Sequence, residues 1–71
     1  MNETTAGRLS RLEAERADYK ATAEHCEREA KAALERGDRG QWAAWAGAAD
    51  VVWKMNSWVV GEIDRLTETQ P

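Results

Sequence analysis

Apolar residues recur along most of this chain in alternating steps of three and four. In the second half the series runs Trp42, Trp45, Ala49, Val52, Asn56, Val59, Ile63, Leu66. In the first half it runs Leu9, Leu12, Arg16, Tyr19, Ala23, Cys26, Ala30, Ala33. That rhythm keeps one stripe on one side of an α-helix and is the seam pattern of coiled-coil-like pairing. Arg16 and Asn56 are the two polar members of the series. The single proline is Pro71, so no proline interrupts a helix inside the chain.

One break separates the two series, at Gly37-Asp38-Arg39-Gly40. Gly37 follows Leu34-Glu35-Arg36 as the residue just past a helix end, where a left-handed backbone suits glycine. Asp38 stands three residues before Gln41, the spacing of a capping box for a new helix. These signals predict a first helix over about 5–36, a turn at 37–40 and a second helix over about 39–67. The residues 68–71 are expected to fray, because Asp64 and Glu68 oppose the helix macrodipole. At the other end Thr4 or Thr5 can cap the first helix, and Ser10 with Glu13 offers a later start. Leu9 belongs to the apolar stripe and favours the earlier start, with fraying up to Gly7.

The fold class that follows is all-α: an antiparallel two-helix hairpin, coiled-coil-like, formed by residues 1–71 as a single domain. The expected pairs across the seam are Ala33 with Trp45, Cys26 with Val52, Tyr19 with Val59 and Leu12 with Leu66. Small residues on the first helix then oppose large ones on the second near the turn, which fills space well. Asn56, on the seam, is expected to fix register at some cost in stability. Arg16 is expected to lie over the seam and reach Glu13 or Glu62.

The second helix carries more apolar surface than the seam uses. On a helical wheel its polar residues Asp50, Lys54, Ser57 and Asp64 occupy an arc of only about 80°. Beyond the seam lie Ala44, Ala48, Val51, Met55 and Trp58, with Trp53 and Val60 at the seam's other edge. One neighbouring helix covers a stripe of about 100°, so a second contact is expected. Val51, Met55 and Trp58, joined by Trp53 and Val60, are the expected interface. The first helix is charged outside its seam, with Lys20–Glu24, Glu24–Arg28, Glu27–Lys31 and Lys31–Glu35 at ion-pair spacing. It reads as a solvent-facing cover.

Composition sharpens this picture. At 71 residues, much of the apolar content is alanine, and four tryptophans with one Tyr and no Phe supply most of the large surface. So small a core is marginal alone, and one cysteine cannot close a disulfide within the chain. Dimerisation into a four-helix bundle is the expected remedy, with a foreign protein as the other occupant of the spare face. The net charge of −3 and pI near 5.1 work against binding nucleic acid through a positive field. Residues 41–60 are interrupted by Asp50, Lys54 and Asn56, which argues against a membrane span. The polar start Met1-Asn2-Glu3-Thr4-Thr5 has no signal-peptide character, so a cytoplasmic location is expected. Arg outnumbers Lys seven to three and alanine is abundant, a usage associated with GC-rich bacteria and their phages.

Candidate chemistry is thin. His25 and Cys26 are the only residues of their types, and neighbours on a helix point about 100° apart, too far to form a metal site or a nucleophile pair together. Glu24 and Glu27 form the one carboxylate pair of note, flanked by neutralising Arg28 and Lys31. There is no phosphate-binding glycine loop, no catalytic triad and no zinc spacing. A helix-turn-helix reading fails because the second helix would present Gln41, Trp42 and Trp45, without base-reading or phosphate-binding side chains. No catalytic, cofactor or metal residues are expected. The sequence reads as a non-enzymatic, self-associating interaction module, a small accessory or regulatory protein acting on a partner's surface. The alternative is a peripheral membrane or lysis-associated protein using a Trp-rich helix, although that helix lacks a basic polar flank.

Overall fold

A computed structural model of the chain describes residues 3–68. It is an all-α hairpin of two long helices, α1 (Thr5–Glu35) and α2 (Arg39–Glu68), 52 Å in its longest dimension. Thr4 caps α1: its backbone is extended and its hydroxyl accepts from the Gly7 N–H at 2.9 Å. The later Ser10–Glu13 start lies inside the helix. Arg11 donates to Glu3 and to Glu15, tying the residue before the cap to the second turn. Of the terminal segment expected to fray, Glu68 is helical and 69–71 lie outside the described residues.

The reversal is compact. Gly37, at φ +78°, donates to the Leu34 carbonyl at 3.0 Å, and Asp38 donates to the Ala33 carbonyl at 2.9 Å. This is the Schellman arrangement, which satisfies carbonyls a helix end otherwise leaves open. Asp38 then opens α2: its carboxylate accepts from the Gln41 N–H at 3.0 Å and its carbonyl from Trp42 N–H at 3.0 Å. Only half of the expected capping box is made, because the Asp38 N–H already serves Ala33 and has no need of the Gln41 side chain. One residue thus ends the first helix and begins the second.

The buried residues among those described are Leu12, Ala23, Cys26, Ala30 and Ala33 on α1, with Ala49, Val59 and Ile63 on α2. All belong to the two series of three-and-four steps. Tyr19, Trp45, Val52, Asn56 and Leu66 are half-buried beside them. Large side chains concentrate at the end away from the turn, where Leu12, Val59 and Ile63 form the core cluster and Leu9, Tyr19 and Leu66 pack against it. Toward the turn the buried surface is alanine and Cys26.

At the end away from the turn Leu12 is buried with Val59 and Ile63, and Tyr19 and Leu66 pack against that cluster. The Trp45 ring meets His25, 5.7 Å between centroids. The chain reverses between Glu35 and Arg39, the bounds of the two helices. Trp42, expected on the seam, is exposed. Arg16 does not reach Glu62, which pairs instead with Arg8 at 3.6 Å and with Arg65. The four ion pairs expected along α1 do not close among the described residues; Arg11 holds Glu3 and Glu15, and on α2 Lys54 holds Asp50 at 3.0 Å. Solvated lysine and glutamate side chains gain too little from exposed pairing to hold one geometry.

Two predictions follow from these ends. Gly37→Ala should destabilise the hairpin by about 1 kcal/mol, the left-handed backbone penalty alone, since a Cβ there meets nothing within 4 Å; urea unfolding measures it. At the N-terminus, the hydrogen bond from Arg11 holds the Glu3 carboxyl below its usual pKa. A depressed carboxylate contributes above its unfolded pKa and loses that contribution as pH falls through the folded value. First-turn amides should therefore exchange faster in Glu3→Gln than in wild type near neutral pH, and the two should converge on acidification.

Candidate interaction surface

Helix α2 has two exposed apolar flanks, because α1 covers only the stripe between them. On one flank Val51, Met55 and Trp58 are 56%, 45% and 60% exposed. They follow one another at spacings of four and three, so they form a continuous strip on one side of the helix. Ala44 and Gly47 extend it toward the turn and are exposed as well. Glu62 and Arg65, paired with each other, bound it at the other end.

Trp53 and Val60 are not part of that strip. Both are half-buried on the opposite flank, beside α1. The Trp53 indole N–H donates to a Glu27 carboxylate oxygen at 3.2 Å, a bond between helices. That flank opens into a groove of about 460 Å³ near the turn, floored by Ala30 and Ala46 and walled by Leu34, Trp42 and Trp53. The five residues expected to act as one interface therefore divide between two surfaces.

Leu34 escaped the sequence reading although it is 54% exposed. The available signal was its size: it is the one leucine of α1 outside the seam series. It lies four residues after Ala30, one turn along the same side of the helix. The alanine floor beneath Trp42 and Trp53 leaves the groove shallow.

The remaining residues singled out from the sequence take structural positions. Cys26 is buried in the seam. His25 stands edge-on to Trp45, with the ring planes 88° apart. Glu24 and Glu27 are exposed, and Glu27 accepts from Trp53. No group of three or more His, Cys, Asp or Glu converges on a metal-sized site among the described residues. Asn56 sits half-buried between the helices with its Oδ1 shielded from solvent and without a hydrogen-bond partner. An acceptor left in that state costs about 1–3 kcal/mol.

No protein-family model matches the chain, and neither the curated proteins nor the solved structures yield a match. The surface itself therefore has to carry the functional reading. Among the described residues no helix is long and apolar enough to cross a membrane.

The unsatisfied amide gives a prediction of its own. Asn56→Leu, close in volume, should raise the stability of the hairpin by about 1 kcal/mol as the orphaned acceptor is removed. Thermal unfolding followed by circular dichroism reads this directly, and a loss of stability would mean the amide is paired in solution.

Proposed function

We propose that this chain is a non-enzymatic helical interaction module that self-associates, two hairpins burying their second helices together as a four-helix bundle. The observation that carries the reading is the strip of Val51, Met55 and Trp58, each about half or more exposed on one face of α2. Aromatic and methionine side chains in such clusters are typical anchors of protein interfaces.

Size supports the same reading. A compact protein of this mass exposes about 4,500 Å², whereas this chain exposes 5263 Å². An interface of standard size removes about 800 Å² from each partner, which is the scale of that excess. The hairpin's own core holds three large buried side chains, Leu12, Val59 and Ile63. That is a small core to offset the ordering of two helices of 31 and 30 residues. In biological terms the proposal is a small accessory or regulatory protein that works by occupying protein surfaces.

Trp58→Glu tests the reading. A charge in place of the strip's largest side chain should shift the protein to monomer in sedimentation velocity while leaving its helical circular dichroism in place. Wild-type protein that stays monomeric and folded at high micromolar concentration would overturn self-association. Flotation with anionic vesicles separates the membrane alternative: co-flotation of wild type, lost in Trp58→Glu, would favour lipid over protein as the occupant.

A further inference from the structure

We infer that the second copy docks antiparallel on this strip, with a twofold axis at Val51 that lays Trp58 of each copy over Ala44 of the other. This rests on the self-association proposed above and adds its orientation and register.

The strip has defined limits. It begins at Ala44, just after the turn, and ends at Trp58, before the Glu62–Arg65 pair. Val51 lies at its midpoint. An isologous contact must bring the same patch of both copies together, each residue meeting the residue equally far from the axis on the other side. With the axis at Val51, the far large residue Trp58 meets Ala44, and Met55 meets Gly47. Large side chains therefore fall on small ones, and the Val51 side chains meet at the centre. A parallel arrangement would set Trp58 on Trp58 and leave the alanine–glycine half of the strip facing itself across a gap.

Gly47 supplies an observation that the hairpin does not explain. It lies inside α2, where glycine is a weak helix former. A Cβ built on it meets nothing within 4 Å. Nothing in its own chain requires a glycine there, but a methionine arriving from a second copy does.

Antiparallel alignment also opposes the two α2 macrodipoles, which favours the same orientation.

Cysteine cross-linking of the full chain tests the geometry, using Val51→Cys and Ala44→Cys with diamide as oxidant. Cys26 is buried, so wild-type protein serves as the blank. Val51→Cys should form a covalent dimer rapidly, with peptide mapping placing the link between the introduced thiols. Ala44→Cys should not, because its two copies are separated by fourteen residues of helix, about 21 Å. Sedimentation of the reduced variants runs alongside. If the protein is dimeric and Ala44→Cys links as readily as Val51→Cys, or Val51→Cys fails to link, the antiparallel register is overturned and self-association stands. If the protein is monomeric, both fall. A second pair of variants reads the same contact without thiols. Gly47→Ala should raise the dimer dissociation constant several-fold, whereas Gly61→Ala, a helical glycine with equally open space but on the polar side of α2, should leave it unchanged. Equal effects from the two would overturn the proposed fit.

Discussion

The arrangement of this protein depends on how close two helices come when one of them offers little but alanine. Ala23, Ala30 and Ala33 of α1 and Ala49 of α2 are the small side chains buried along the seam toward the turn. Small side chains let helix axes approach, and at close approach no room remains between them for an indole. The tryptophans of α2 are therefore displaced sideways. Trp45 and Trp53 are half-buried on the flanks, one against His25 and the other bonded to Glu27, while Trp42 is exposed. Flanking rings hold the alanine section laterally instead of filling it. The packing of large side chains falls to the far end, where Leu12, Val59 and Ile63 are buried.

That division explains why the molecule has so much apolar surface on one helix. A two-helix hairpin possesses a single seam, and a seam narrowed by alanine covers less of α2 than one filled with leucine. Val51, Met55 and Trp58 lie beyond its reach by geometry rather than by any defect of packing. The charged outer face of α1 is left to water, with its lysines and glutamates mostly unpaired with each other. Under the proposed bundle, α2 becomes the inner layer and α1 the outer one, so each helix meets the environment its composition suits.

The fold was legible because its strongest signals are local. Alternating three-and-four spacing locates the buried stripe, and Gly37 with Asp38 locates the reversal, since both depend only on neighbouring residues and backbone geometry. The width of the seam was less legible. Trp42 belongs to the seam series, yet whether a large ring enters or leaves depends on the width of the gap. The gap is set by alanines on the other helix. The division of Val51, Met55 and Trp58 from Trp53 and Val60 likewise becomes visible only once α1 is in place between them.

Function is harder to read for a physical reason. An enzyme or metal site leaves a mark in one chain because the groups that do the chemistry must converge within it. An interface leaves half a mark, since complementarity is shared with the other surface. Self-association is the exception, because then the one sequence contains both halves. The strip on α2 has that property: its large residues lie in the half away from the turn and its small ones in the half beside it. A surface shaped for an unrelated partner has no reason to be complementary to its own reversal, and this internal complementarity is what favours a second copy as the occupant.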